Sequence, residues 1–233
     1  MDSCVQLGWT RIVWKTDLGL GNADATRVRG FLGRRWHTVT AFHQHAKDGS
    51  LVYQHPLIQT KVINGQIMIT GLAEGAMILE VLPNPRRLSL AQRVLDIVDE
   101  ERERGIVTVG PTDKHTEYRF LTSWLPLNQA NHVKYLERSG GERRDLLSRI
   151  LIGNVLSFSK AIRLNVQSRL QANHNFIQTN SVEPKGIELL GFTGTFTINF
   201  SLPDFWGIGK FSSRGFGTLM RRQIDGEEVC GTP

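Results

Sequence analysis

The stretch 57-LIQTKVINGQIMITGL-72 places the pair Asn64-Gly65 between two runs of β-branched and aliphatic residues. An Asn-Gly pair between β-prone runs favours a two-residue type I′ turn, because both central residues of that turn need a positive φ. The sequence therefore predicts an antiparallel hairpin here.

The flanking segments predict the rest of the first half. Residues 5–16 are β-branched and aromatic and predict a strand, and Asp24 can cap a helix over about 25–36. Leu88, Ala91, Leu95 and Val98 form an apolar stripe that predicts a helix over about 88–104. The pattern loosens around Gly110-Pro111, which indicates a domain junction.

The second half repeats this order of elements without a sequence repeat. We predict the following segments: a strand at 118–125, helices at 128–138 and 142–160, strands at 163–170 and 174–179, a strand pair in 186–200, and a closing strand in 215–222. Both halves then follow a βαββαβ order. The predicted fold class is α+β, with two tandem ferredoxin-like (RRM-like) domains at 1–116 and 117–233 and a C-terminal glycine-rich loop.

Composition restricts the class of protein. The 233 residues are 40% hydrophobic and 21% charged, as in an ordinary globular protein, and no apolar run approaches the ~18–20 residues that span a bilayer. The two cysteines, Cys4 and Cys230, give neither a disulfide framework nor a zinc-finger spacing. We expect a cytoplasmic protein with no membrane partner and no cofactor.

Positive charge is concentrated in three segments of the chain. The net charge is +6, and residues 11–36, 138–169 and 205–222 hold most of the excess, whereas acids gather at 96–103. Such an uneven distribution favours a polyanionic partner, although separate solvated faces would give the same totals.

The segment 207-GIGKFSSRGFG-217 contains two Gly-x-Gly pairs separated by five residues. Its spacing matches neither a dinucleotide fingerprint nor a Walker loop. Glycines beside Lys210 and Arg214 allow backbone N–H groups to approach phosphates, but a glycine-rich connection between strands is an equal explanation. We expect the loop to bind a phosphate-bearing ligand through Gly207, Gly209, Lys210, Ser212, Ser213, Arg214, Gly215 and Gly217.

This loop, closing a basic chain of two ferredoxin-like halves, resembles that of the CRISPR repeat-processing endoribonucleases of the RAMP superfamily. The stretches 27-RVRGFLGRRW-36, 42-FHQH-45, 56-PLIQTKVINGQ-66, 150-ILIGNVLSFSK-160 and 186-GIELLGFTGTF-196 resemble family segments in the same order, type IV members included. The resemblance implies a nuclease that binds the repeat hairpin of a precursor CRISPR RNA, cuts at its 3′ base and usually keeps the product.

Cleavage without a metal needs a base for the 2′-OH, an acid for the leaving oxygen and cations for the phosphate. Histidine suits both proton transfers, and four of the seven histidines lie within residues 37–55. In the resembled family a catalytic histidine often follows the first helix, so we expect His43 and His45 to be catalytic. Arg27 and Arg35 would stabilise the phosphate, and Tyr53 would be a second proton donor or a stacking surface.

Further cations are expected to hold the RNA backbone, with salt-dependent affinity and little sequence readout. They are Arg29, Arg34, Lys61, Arg143, Arg144, Arg149, Lys160, Arg163 and Arg221. The tryptophans are expected mostly in the core, with Trp206 and Phe211 as candidates for stacking on a base.

Four alternatives stay open at this point. The histidines could ligate a metal, although no ligand pattern completes a closed site. The chain could be a non-catalytic subunit that holds the CRISPR RNA hairpin in an effector complex with other subunits, or a general RNA-binding module. Arginines rather than histidines could also do the chemistry, slowly, because arginine stays protonated.

Overall fold

The computed structural model of the chain describes residues 4–39, 42, 55–182 and 188–222. Its elements are, in chain order, β1 (Val5–Thr16), α1 (Asp24–Arg35), β2 (Ile58–Ile63), β3 (Gln66–Leu72), α2 (Glu74–Val81), β4 (Arg87–Leu90), β5 (Arg93–Trp124), α3 (Gln129–Leu136), α4 (Gly140–Ala161), β6 (Ala172–Val182), β7 (Glu188–Ser201), a 3₁₀ turn (Ser212–Arg214) and β8 (Leu219–Arg221).

The first half is a ferredoxin-like unit with strand order β2-β3-β1-β5. The predicted hairpin is confirmed: β2 and β3 pair antiparallel, and Asn64 and Gly65 turn with φ of 51° and 78°. Ile12 and Trp14 of β1 share a buried core with Val28 and Leu32 of α1. Helix α1 therefore covers one face of this sheet and leaves the other face toward the second half.

Strand β5 belongs to both halves. It pairs with β1 through residues 97–109 and with β7 from Gly110 onward. Gly110 has a φ of 147°, and a Cβ there would lie 2.8 Å from Cys4 Cα, so the crossing point requires glycine. The division at 116/117 stays a prediction, and it falls inside this continuous strand.

The second half has the same strand order, β6-β7-β5-β8, with β8 on the free side of the C-terminal part of β5. Helix α4 covers the sheet through Leu147, Leu151 and Val155. In a βαββαβ unit a second helix would follow β7. The described segment 202–218 contains only the 3₁₀ turn at this place. The predicted α+β fold of two tandem ferredoxin-like units with a closing glycine-rich loop is confirmed.

The predicted helix at 88–104 is wrong. Residues 87–96 form the β4–β5 hairpin, in which Leu88 and Leu95 face each other and are both fully buried. Ala91 occupies the turn with a φ of 52°, and Val98 is exposed. Cross-strand pairing thus produced the spacing that suggested a helix, and the second helix of this half is α2.

Two predicted strands also need correction. Residues 163–170 follow the end of α4 as an irregular connection, in which Arg163 takes a φ of 58°. The strand pair expected in 186–200 is the single strand β7, whose partner is β6. Among the described residues, no helix combines the length and apolar character needed to cross a membrane.

Candidate nucleic-acid interface

The glycine-rich loop, residues 207–217, lies in the seam between the two halves. The Gly207 N–H donates to Gln59 Oε1 at 2.7 Å, and Gln59 Nε2 donates back to the Gly207 carbonyl at 2.9 Å. On the other side of the loop, a Cβ at Gly215 would lie 3.2 Å from Ala25 Cβ in α1. A loop of the second half is thereby fixed to β2 and α1 of the first.

Close packing accounts for the glycines of this loop. Gly209 has a φ of 87°, and a Cβ there would lie 2.6 Å from Trp124 Nε1 and 2.9 Å from Asn154 Oδ1. These two atoms form a hydrogen bond of 3.0 Å that links β5 to α4. The backbone could not approach this bond so closely with any side chain at position 209.

Beneath the loop lies a buried polar cluster of His55, Gln59 and Lys61. Lys61 is 0% exposed, and its ammonium donates to Gln59 Oε1, Thr70 Oγ1 and the Phe205 carbonyl. Burial, followed by the charge of Arg11, lowers the pKa of Lys61 to about 7. The prediction that Lys61 contacts RNA does not fit this burial, because the lysine holds the loop from beneath.

His55, the last of the four histidines in residues 37–55, belongs to this buried polar cluster. Its Nε2 accepts a hydrogen bond from Trp206 Nε1 at 3.0 Å and lies 3.2 Å from Gln59 Nε2. Burial, with a smaller effect from Lys61, lowers the pKa of His55 to about 3, so the imidazole is neutral. Within the described ranges, no group of three or more His, Cys, Asp or Glu side chains could hold a metal ion.

The loop presents cations outward and hydroxyls inward. Lys210 is exposed and Arg214 half-buried, and their charged groups lie 4.9 Å and 5.0 Å from the Phe211 ring centroid. Ser212 and Ser213 are buried, as is Trp206, so these three side chains face the protein interior. Of the predicted loop contacts, Lys210, Phe211 and Arg214 are the side chains with exposed surface.

The charge of Arg214 acts on Arg29 of α1 across the seam, and neither arginine forms an ion pair with an acid among the described residues. Arg29 Nη2 donates to the Phe42 carbonyl at 3.2 Å, and its Nη1 is buried with no partner in the described part of the chain. Burial, followed by the charge of Arg214, lowers the pKa of Arg29 to about 10. Two adjacent guanidinium groups, one with an unsatisfied buried donor, would be stabilised by an anion such as a phosphate.

Three of the remaining predicted residues of the first half lie in the described part of the chain. Arg27 pairs with Asp24 at 2.7 Å, whereas Arg34 and Arg35 are exposed and form no ion pair with another described residue. His43, His45 and Tyr53 lie outside the described residues.

The predicted cations of α4 differ in what they contact. Arg143 donates to the Tyr135 carbonyl at 2.9 Å, and Arg144 donates to the His174 carbonyl at 2.9 Å, so both hold the fold together. Arg149 donates to the Asp145 carbonyl of its own helix at 3.3 Å, and both Arg149 and Lys160 are exposed. Two further cations have protein partners, Arg163 with Glu74 and Arg221 with Ser201.

Comparisons with known proteins extend over nearly the whole chain. Residues 5–104 match the family model of the Cas6b N-terminal domain, and residues 110–222 match that of the Cas6b C-terminal domain. An uncharacterized protein of Methanocaldococcus jannaschii is 33% identical over 142 residues, which are 61% of this chain and 97% of that protein.

Solved structures agree with the family models. A crystal structure of Cas6b is 30% identical, with a TM-score of 0.88 over 94% of this chain and 100% of that one. A second structure, of the CRISPR RNA processing endoribonuclease Cas6b, is 27% identical, with a TM-score of 0.74 over the same shares. Csf5, a type IV Cas6 crRNA endonuclease, covers the same shares at 13% identity and a TM-score of 0.54, and shares the fold alone. The two family models together with the 30% identical structure place this chain in the Cas6b family.

Proposed function

We propose that this chain is an endoribonuclease that binds the hairpin of a CRISPR repeat RNA and cuts precursor CRISPR RNA. Membership of the Cas6b family supports the reaction class. The observation that carries the proposal is the buried Nη1 of Arg29, which has no hydrogen-bond partner among the described residues. The charge of Arg214 acts on this guanidinium group across the seam, and neither arginine forms an ion pair with a described acid. A phosphate of the RNA backbone supplies the missing negative charge.

The proposed cleavage uses the nucleophile that RNA carries. The 2′-oxygen forms a bond to phosphorus while the bond from phosphorus to the 5′-oxygen breaks. A base takes the proton of the 2′-OH, and an acid gives a proton to the leaving oxygen. The products are a 2′,3′-cyclic phosphate and a 5′-OH, and no metal ion is required for this balance.

His43 and His45 are proposed as the acid and the base, with Tyr53 as a second donor and Arg27 and Arg35 as charge stabilisers. Support comes from the described ends of the segment that carries these histidines. At one end, the Phe42 carbonyl accepts a hydrogen bond from Arg29, and at the other end His55 is buried beneath the glycine-rich loop. Both ends therefore lie at the seam where Arg29 and Arg214 meet.

The exposed cations around this seam would hold the hairpin and keep the cut product bound. They are Arg34, Arg35, Arg149, Lys160 and Lys210, together with the half-buried Arg214. The glycine-rich loop contacts the middle of α4 at Asn154, which brings the helix that carries Arg149 and Lys160 next to the loop. Contacts of this kind give affinity that falls steeply with salt.

Single-turnover cleavage of a labelled repeat RNA by His43→Ala, His45→Ala and the double variant tests the assignment. We expect the cleavage rate to fall by 10²-fold or more while hairpin affinity changes little. His115→Ala, at an exposed position on β5, is the matched control and should cut at the native rate. A double variant that cuts like the native chain would reject the histidines and favour arginine chemistry.

A native chain that binds the hairpin and never cuts it would instead identify a non-catalytic subunit of an effector complex.

A further inference from the structure

A cavity of about 330 Å³ lies on the face of the first sheet that α1 leaves uncovered. Its walls come from β1, β3 and β5 and, across the seam, from residues 203–206 of the second half. Such a volume is at the small end of ligand sites and suits a group the size of one nucleoside. Trp206, named above as a candidate for stacking on a base, is among its lining residues, whereas Lys61 and the predicted RNA-binding arginines are not.

Aromatic rings and a guanidinium group dominate the cavity. The Arg11 guanidinium carbon lies 4.7 Å from the Phe205 ring centroid and 5.4 Å from the Trp9 ring centroid. Trp9 sits on β1, a central strand of the sheet, and packs over Gly105, where a Cβ would lie only 3.0 Å from the indole Nε1. This glycine on the paired strand leaves room for the indole ring.

Trp9 differs from the other tryptophans of the chain. Trp14, Trp36, Trp124 and Trp206 are at most 8% exposed, whereas Trp9 is only partly buried. The indole N–H of Trp9 also has no hydrogen-bond acceptor among the residues that the structure describes, although the indole groups of Trp14, Trp124 and Trp206 have one. Trp9 therefore has free ring surface and a free donor.

Phe205 is held rigidly on the opposite wall. Its backbone takes a φ of 57°, which is costly for a residue with a Cβ. Its N–H donates to the Leu219 carbonyl at 2.8 Å, and its own carbonyl accepts from the buried Lys61 ammonium. These bonds fix the backbone from which the Phe205 ring extends, which lowers the entropic cost of binding a ligand in the cavity.

The charges of the cavity favour a base over a phosphate. Arg11 pairs with Glu103, and Asp204 contributes a second carboxylate, one oxygen of which accepts from the Arg221 N–H. Carboxylates repel a phosphate but accept hydrogen bonds from the amino and imino groups of a nucleobase. Aromatic residues on the central strands of ferredoxin-like sheets are a general means of stacking unpaired bases.

From these observations we propose that the cavity between Trp9 and Phe205 binds one unpaired nucleobase of the RNA, at a site separate from Arg29 and Arg214. This inference rests on the proposed function in that RNA is the ligand. The base stacks on the aromatic walls, and the guanidinium plane of Arg11 adds to the stack.

The test measures the affinity of the full chain and its variants for the repeat RNA and for single-stranded RNA tetramers of each base. Trp9→Ala should weaken binding by roughly 5- to 100-fold, the cost of losing one base stack, and Trp9→Phe should restore most of the affinity. Lys15→Ala is the matched control, because Lys15 lies on the same strand in ion pairs with Asp99 and Glu101 and lines no part of the cavity. It should bind like the native chain.

Two further readouts remain informative if Trp9→Ala does not fold. Binding should quench the tryptophan fluorescence of the native chain, and Trp9→Phe should lose this quenching. One abasic nucleotide in the repeat RNA should weaken native binding by roughly 5- to 100-fold, and it should cost Trp9→Phe the affinity that this variant retains.

Equal affinities of native and folded Trp9→Ala, or an abasic scan without a sensitive position, would overturn the proposal. Failure of the nucleobase site can be told apart from failure of the proposed function, because the proposed function fails only if the native chain does not cut the repeat RNA. Trp9-dependent binding without cleavage would leave the nucleobase site standing.

Discussion

At the scale of single residues, His55 shows how burial fixes a protonation state. Its Nε2 accepts the Trp206 N–H, which requires a lone pair at that nitrogen. Protonation would place an N–H against an N–H in a fully buried site, and this agrees with a pKa lowered to about 3. His55 therefore supports the glycine-rich loop and transfers no proton near neutral pH.

This depressed pKa predicts a loss of stability in acid. Between pH 6.5 and 3 the unfolded chain binds a proton at His55 that the folded chain does not, so the free energy of unfolding falls as the pH falls through this range. The loss from His55 should reach about 2 kcal/mol between pH 6.5 and 5, at about 1.36 kcal/mol per pH unit. Urea unfolding of the native chain and of His55→Gln should show that the difference between their free energies of unfolding shrinks as the pH falls. A difference that stays constant would contradict the neutral buried histidine.

Gly209 gives a second prediction at this scale. Gly209→Ala should lower the free energy of unfolding by about 3 kcal/mol, from the strained φ and the contact with Trp124. Gly153→Ala is the control, since that glycine lies inside α4 with nothing within 4 Å of a Cβ, and it should raise stability by up to about 1 kcal/mol. Chemical denaturation of both variants measures this, and equal effects would refute the packing role of Gly209.

Lys61 shows where residue-level reading from the sequence stops. A lysine in the strand 58-IQTKVI-63 normally points to solvent, and its neighbours Gln59 and Thr60 suggest the same. Gln59 and Lys61 are buried because residues 205–207, more than 140 residues away in sequence, cover their side of the strand. Thr60 points to the opposite side of the strand and is buried there. No local pattern contains that information.

At the scale of elements, local signals predicted the β2–β3 hairpin, α1 and α4 because each depends on a turn pair or a periodicity within the segment. The expected capping role of Asp24 was wrong, because this residue is the first of α1 and pairs with Arg27. The failures, at 88–104 and 163–170, arose where tertiary pairing decides. A usable signal for β5 was the charge pattern, since Asp99, Glu101 and Glu103 face the cations Lys15 and Arg11 of β1 across the sheet. The acidic run thereby neutralises β1 and leaves α1 as the basic element of the first half.

Helix α4 allows structural and RNA-binding cations to be separated. Arg143→Ala should destabilise the fold by about 1–2 kcal/mol, because its guanidinium caps carbonyls at the end of α3. Arg149→Ala should leave the melting temperature unchanged, weaken RNA binding and reduce the slope of log affinity against log salt by about one unit. Thermal melts and salt titrations of both variants check this; an unchanged salt slope for Arg149→Ala would remove this arginine from the interface.

At the scale of the whole molecule, the halves are coupled by β5, by the Gln59–Gly207 bonds and by Val5, Leu7 and Val107, which pack on the core of the second half. We therefore expect one cooperative unfolding transition. Tryptophan fluorescence, which reports Trp14 in the first half and Trp124 in the second, should give the same urea midpoint as circular dichroism. Two separated midpoints would show that the halves fold independently.

The same coupling explains what sequence alone could predict of the site. The glycine-rich loop and the arginines of α1 are visible as motifs, but the meeting of Arg29 with Arg214 depends on how two halves pack. Trp9 and Phe205 lie almost 200 residues apart in sequence, and only the assembled seam brings them to one cavity. The roles of His43, His45 and Tyr53 stay predictions.

The most direct test of the account is incubation of the purified chain, in EDTA, with a labelled CRISPR repeat RNA and with a copy that carries a 2′-deoxy nucleotide 5′ of the cut. The account predicts that the first RNA is cut, leaving a 2′,3′-cyclic phosphate and a 5′-OH, and that the second is bound equally well but stays intact. Tight binding of both without cleavage, or cleavage of both, would contradict it.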